Sequence, residues 1–186
     1  MTDEIRRDAD ERMGRAIEAL ERDLGAIRTG RAATALVERI VVEYYGTQTP
    51  LNQLASISVP EAHLIVIQPW DRSALGAIEK AILKSEVGLT PNVDGTVVRL
   101  SIPALTEDRR KDLVKLVHRR MEEARVEIRN GRREVADEIK KALREGDIGV
   151  DEERRELELL QKVTDRWTGE VERVGKHKEQ EILEVL

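Results

Sequence analysis

A run of basic side chains between residues 111 and 144 shares one direction. At about 100° per helical residue, Lys111, Lys115, His118, Arg125, Arg129, Arg132, Arg133, Lys140 and Arg144 all fall within roughly 60° of Arg129. Leu113, Leu116, Val117, Met121, Ala124, Ile128, Val135 and Ile139 gather on another sector. Only Glu107, Asp108 and Glu122 intrude on the basic side. A cationic stripe beside a buried face is what a phosphate backbone needs. Arginine adds bidentate phosphate contacts that lysine cannot make. The same stripe in a highly charged bundle also fits a solvated face, paired with acids four residues away. Taken alone, the residues leave both readings open. No aromatics interleave the stripe, which argues against stacking on single-stranded bases. If nucleic acid binds here, the stripe should read backbone and shape, as on structured RNA.

No other chemistry competes with it. There is no cysteine, so disulfides, thiolate metal sites and a cysteine nucleophile are excluded. His63, His118 and His177 are scattered and read as surface residues. No ligand spacing suggests a metal, and no glycine-rich loop suggests a bound nucleotide. The many carboxylates read as solubilising charge, with no general acid and base among them. The chain is therefore expected to be no enzyme and to carry no cofactor and no metal. Trp70 and Trp167 are expected to pack in cores.

The composition fits long charged helices. Of 186 residues, 37% are charged and only 2% aromatic, so no thick aromatic core is available. The net charge of −5 argues mildly against nucleic acid and makes the local distribution decisive. No apolar run approaches a membrane span, and the N-terminus lacks a signal-peptide layout. The chain reads as soluble and cytoplasmic, with no membrane partner.

The elements that must position the stripe follow from periodicity. Residues 3–28 form a predicted helix, with Ile5, Ala9, Met13, Ala16, Ile17, Leu20, Leu24 and Ile27 on one stripe, Thr2 as N-cap and Thr29-Gly30 as its end. Residues 40–45 read as a strand and Gly46 to Pro50 as a turn. Residues 55–59 alternate, and Leu64–Ile67 read as a central strand. Asp71 or Ser73 caps a short helix carrying Leu75, Ile78 and Ile82. Gly88, Pro91 and Asp94-Gly95 mark loops, and Val98, Leu100 and Ile102 a last strand. Thr106 then caps a helix running to about Arg144, roughly 60 Å long. After a tight connection at Gly146 to Gly149, Leu157, Leu160, Thr164, Trp167, Val171 and Val174 form a heptad-like seam on a third long helix.

Three apolar stripes cover one another in a three-helix bundle. The β/α segment must then be an insertion with its own core. The expected fold is α+β: a bundle of residues 1–30 and 105–186, with a β/α/β domain over 31–104. The chain crosses twice between them, near Gly30-Arg31 and Pro103-Ala104, and two short crossings should act as a hinge.

A full-length set of ungapped blocks resembles the ribosome recycling factors. It includes Ile27-Arg28-Thr29-Gly30-Arg31-Ala32, Val42-Glu43-Tyr44-Tyr45-Gly46-Thr47, Pro69-Trp70-Asp71-Arg72-Ser73 and Gly88-Leu89-Thr90-Pro91-Asn92. Leu105-Thr106-Glu107-Asp108-Arg109-Arg110-Lys111 and Val126-Glu127-Ile128-Arg129-Asn130-Gly131-Arg132-Arg133 complete it. The resemblance implies an elongated, L-shaped molecule of transfer-RNA-like outline, and a monomer. It implies a translation factor whose bundle binds large-subunit ribosomal RNA. With elongation factor G and GTP, such a factor disassembles the post-termination ribosome, releasing it from mRNA and recycling the subunits.

Carried over by position, Arg129, Arg132 and Arg133 match the family's RNA-contacting block. Arg110 matches the start of that helix, and Arg28 the end of the first. Arg125 joins them from the stripe itself. Gly30, Arg31, Pro103, Ala104 and Leu105 match the hinge. The chain departs from the pattern at Gly131, where a branched apolar residue is expected, and at Gly149, Ala104 and Glu134. The alternative reading is a helical structural or chaperone-like module that binds proteins and no RNA.

Overall fold

The computed structural model describes residues 2–184. Contacts divide the chain into two units. One holds the chain up to Arg28 and again from Glu107; the other is Thr29–Thr106.

The first unit is a bundle of α1 (Thr2–Gly25), α3 (Glu107–Glu145) and α4 (Val150–Leu183), each packed against the other two. Buried positions on α1 are Ala9, Met13, Ile17, Leu20 and Leu24, at spacings of three and four. Those on α3 are Leu113, Val117, Met121, Ala124, Ile128, Gly131, Val135, Ile139 and Ala142. Leu116, expected on the apolar sector, is only half-buried. On α4, Leu160, Thr164, Val171, Gly175 and Ile182 are buried, with Glu156 among them. Leu157, Trp167 and Val174 lie half-buried at the seam's edge.

With so few aromatics, the core closes by small residues meeting larger ones. Gly175 accommodates Met121, and the Trp167 ring lies over Gly14. Trp167 Nε1 donates to Asp10 Oδ1 at 2.8 Å, and the Arg166 guanidinium sits 5.1 Å above the ring centroid.

Helix α1 stops at Gly25, three residues earlier than its apolar pattern suggests. The Thr2 side chain, read as its cap, lies outside the described residues. The α3–α4 connection turns at Gly146, with φ of 80°. Asp147 N–H reaches back to the Ala142 carbonyl and closes α3. Gly149 caps α4 without a side-chain bond, and Asp151, Glu152 and Glu153 supply negative charge at that N-terminus.

The second unit has six strands, one α-helix and three single-turn 3-10 helices. A two-stranded hairpin joins β1 (Val41–Tyr44) and β2 (Thr47–Pro50). The other four strands, β3 (Ala55–Glu61), β4 (Leu64–Pro69), β5 (Pro91–Asp94) and β6 (Val97–Ser101), form an antiparallel sheet in the order β3-β4-β6-β5. Strand β4 is central, as its apolar run predicts, with Ile65 and Ile67 fully buried. Helix α2 (Leu75–Lys84) sets Ile78 and Ile82 into the same core as Val42, Leu51, Val98 and Leu100.

Two segments read as turn or loop are strands: β2 in place of the turn at 46–50, and β5 in place of the loop at Pro91. Both are edge strands, where proline and polar residues are tolerated. The alternation of β3 likewise buries only Ala55 fully. Ile57 is half-buried, and Val59 stands at the exposed end of an edge strand. Trp70, expected in a core, is 69% exposed.

Candidate nucleic-acid interface

The stripe on α3 forms beside α4. The 3.6-residue repeat that buries Ile128 and Val135 turns Arg125, Arg129, Lys111 and Lys140 outward along the groove between these helices. Arg129, Arg132, Arg133 and Lys140 are exposed, and Arg125 is half-buried.

The stripe has two electrostatic halves. In the N-terminal half, Lys111, His118, Arg125 and Arg129 have carboxylate partners, while Lys115 has no ion-pair partner within 4 Å among the described residues. Lys111 pairs with Glu107 at 2.9 Å, and His118 Nε2 meets Glu179 at 3.2 Å. Arg125 donates to Glu172 Oε1 through Nε at 3.0 Å and Nη2 at 2.5 Å. It also reaches Glu122 at 3.1 Å. Arg129 Nη2 donates to the other Glu122 oxygen at 2.6 Å. Hydrogen bonds from Arg129 and then Arg125 hold the Glu122 carboxyl below its ordinary range. The bond to Glu172 in turn raises the Arg125 guanidinium.

The C-terminal half differs. Arg132 Nη1 donates to a neutral acceptor, Gln161 Oε1, at 3.2 Å. Among the described residues, Arg133 and Lys140 have no ion-pair partner within 4 Å. Arg132, Arg133 and Lys140 rim a groove of about 300 Å³ between α3 and α4, with Ala136 and Leu157 below.

The remaining predicted residues lie elsewhere. Arg110 is roughly 100° round α3 from Arg129 and half-buried, its Nε enclosed without a hydrogen-bond partner. Arg28 is exposed, three residues beyond the end of α1. Gly30 adopts φ of 74°, and a side chain there would press on the Pro103 carbonyl and on Leu105. Its carbonyl accepts a bond from His63 Nδ1 at 2.7 Å. The backbone bonds Ala32 N–H to Ala62 O and Ile102 N–H to His63 O flank it. The turn at His63 thus ties Gly30 and Ile102 of the second unit together. Arg31 is half-buried, Pro103 and Ala104 are exposed, and Leu105 is half-buried.

Sequence reasoning noted Glu122 as an intruder but missed its α4 counterparts. Gln161, Asp165, Glu172 and Glu179 recur at intervals of four and seven along the α4 edge facing the stripe. That spacing was the available signal, but it needed the knowledge of which α4 edge meets α3. Among the described residues, no group of His, Asp or Glu is placed to hold a metal ion. No described helix is long and apolar enough to cross a membrane.

A model of the ribosome recycling factor family matches residues 20–183. The ribosome-recycling factors of Shouchella clausii and Thermomicrobium roseum are each 54% identical to this chain over 185 residues, spanning the whole of both chains. That of Bacillus subtilis is 51% identical over the same span. A solution structure of the ribosome recycling factor superposes with a TM-score of 0.73 at 48% identity, covering 99% of this chain and 98% of the other. A second structure is described as models of the T. thermophilus ribosome recycling factor and E. coli elongation factor G on the E. coli post-termination complex. It matches with a TM-score of 0.61 at 43% identity, covering 99% and 100%.

Proposed function

The chain belongs to the ribosome recycling factor family, and from that premise we propose that its bundle docks on ribosomal RNA through the basic stripe of α3. It is a non-enzymatic translation factor that acts with elongation factor G on the post-termination ribosome. In this reading GTP chemistry belongs to the partner, the subunits separate, and the factor works in the cytoplasm. Arg125, Arg129, Arg132 and Arg133 contact phosphates of the large-subunit RNA, with Arg28 and Arg110 at the ends of α1 and α3. Gly30-Arg31 and Pro103-Ala104-Leu105 act as the hinge, because only two covalent crossings join the contact units.

The observation that carries the reading is the concentration of cations on one groove of a chain whose net charge is −5. A protein with that total repels RNA everywhere except where arginines cluster. The pairing of Arg125 and Arg129 with Glu122 and Glu172 favours a second reading, in which the stripe is a solvated face of a protein-interaction module.

Salt separates the two. Co-sedimentation with vacant bacterial ribosomes should weaken as salt rises, and replacing Arg129, Arg132 and Arg133 by alanine together should lower the log–log slope by about 2 to 3. Subunit splitting with elongation factor G and GTP should fall in parallel. Unchanged binding and slope in the triple variant would leave the interaction-module reading in possession.

A further inference from the structure

We propose that the phosphate-binding centre of the stripe is the groove at Arg132, Arg133 and Lys140, and that Gln161 is the positioning residue that holds Arg132 there without neutralising it. This rests on the RNA-binding reading above and assigns its site more narrowly.

The charge count separates the arginines at the two ends of the stripe. Arg125 and Arg129 share Glu122, and Arg125 also has Glu172. Two guanidinium groups face two carboxylates, so their field at an approaching phosphate largely cancels. A phosphate must also displace a carboxylate to win a bidentate contact. At the other end, Arg132, Arg133 and Lys140 face two carboxylates, Asp137 lining the groove and Asp165 behind Gln161, and none of the three cations is within ion-pair distance of either. A surplus of positive charge remains beside the apolar floor of Ala136 and Leu157, which suits a sugar-phosphate unit.

Gln161 explains how Arg132 is kept in place. Its Oε1 accepts from Arg132 Nη1 at 3.2 Å, and its Nε2 donates to Asp165 Oδ1 at 2.8 Å. A guanidinium only donates and a carboxylate only accepts, so these two neighbours force one orientation of the amide. The amide oxygen is therefore aimed at Arg132 before RNA arrives. The amide carries no net charge, so the guanidinium keeps its own. A glutamate here would bind Arg132 in the way that Glu122 and Glu172 bind Arg125.

The test is co-sedimentation with vacant 70S ribosomes over a salt series, with thermal melts of every variant. Arg132→Ala serves as the reference and should weaken binding about tenfold. Gln161→Glu should weaken it comparably and lower the log–log salt slope by about one ion, with no fall in the melting midpoint. Gln161→Met, which loses the tether and adds no charge, should weaken binding several-fold with the slope retained. Lys140→Gln should cost more binding than Arg129→Gln. If both Gln161 variants bind as the parent does while Arg132→Ala weakens, the positioning role is overturned and the RNA reading stands. If Arg129→Gln costs more than Lys140→Gln, the narrower assignment of the centre is overturned. If Arg132→Ala itself binds normally, the RNA reading falls and this inference with it.

Discussion

Replacing Gly131 by alanine should stabilise the bundle, although the position is buried in the middle of α3. Glycine inside a helix costs about 1 kcal/mol relative to alanine, because more backbone entropy is lost on folding. A core glycine is usually kept because a neighbour fills the space of its missing side chain. Here a Cβ would meet nothing within 4 Å, and φ is not positive. The methyl would enter unfilled space beside Ile128 and Val135, adding up to about 0.8 kcal/mol of burial. The sum, about 1 to 2 kcal/mol, corresponds to a rise of roughly 4 to 10 °C in the melting midpoint of a unit this size.

Gly175 is the matched contrast. A Cβ there would overlap the Met121 thioether, which must then leave its seat in the core. Overpacking costs about 1 to 3 kcal/mol, enough to cancel or exceed the same helix-propensity gain. Scanning calorimetry reads both variants against the parent. Gly131→Ala should move the bundle transition up, Gly175→Ala should move it down, and ribosome binding by Gly131→Ala should be unchanged. A lower midpoint for Gly131→Ala would mean that the space is not there. Equal rises for both would mean that packing against Met121 does not distinguish the two glycines.

Tyr44 Oη donates to Asp71 Oδ2 at 2.5 Å, and this bond pushes the phenol from its ordinary value of 10 up to about 12. The same bond, then those from Ser73, holds the Asp71 carboxyl below its usual range. The phenol's contribution is fully present below pH 10 and lost as pH rises through about 12. The carboxylate's is lost as pH falls through its lowered value. Spectrophotometric titration should show one tyrosine ionising near pH 12, and Asp71→Asn should bring it back toward 10; a tyrosine unmoved by that substitution would refute the pairing.

In the bundle, Arg6 Nε lies 2.7 Å from Glu156 Oε2, both atoms enclosed, without the angle of a hydrogen bond. Arg6→Ala strands that carboxylate and should destabilise the bundle by about 2 kcal/mol in urea unfolding, less than for a fully enclosed pair because Arg6 remains 32% exposed. Glu156→Leu should be neutral or stabilising in the same assay, and a loss larger than that of Arg6→Ala would refute the account.

Much of this molecule is legible without coordinates. The helices of the bundle are, because burial on a helix is written in local spacing: Leu113, Val117, Met121, Ala124 and Ile128 announce one face within five turns. The central strand β4 is, because a short apolar run bounded by turns has few other uses. The basic stripe is, because helical geometry alone decides which side chains share a direction. Strands β2 and β5 are not. Thr47–Pro50 and Pro91–Asp94 are polar and contain proline, and they become strands only because β1 and β6 offer them partners. The exposure of Trp70 has a related reason. A large aromatic after an apolar strand is buried only if something covers it, and coverage is a property of the assembled unit.

The site divides along the same line. The residue types and the helical repeat determined that positive charge would lie along α3. Glu107 and Glu122 of α3 itself pair with Lys111, Arg125 and Arg129, and only the packing of α4 against α3 decided what the other partners are. That packing sets Glu172 against Arg125 across 47 residues of sequence, and a neutral Gln161 against Arg132 across 29. Charge is carried by residues, but neutralisation depends on distance, and distances between helices are set by the tertiary fold.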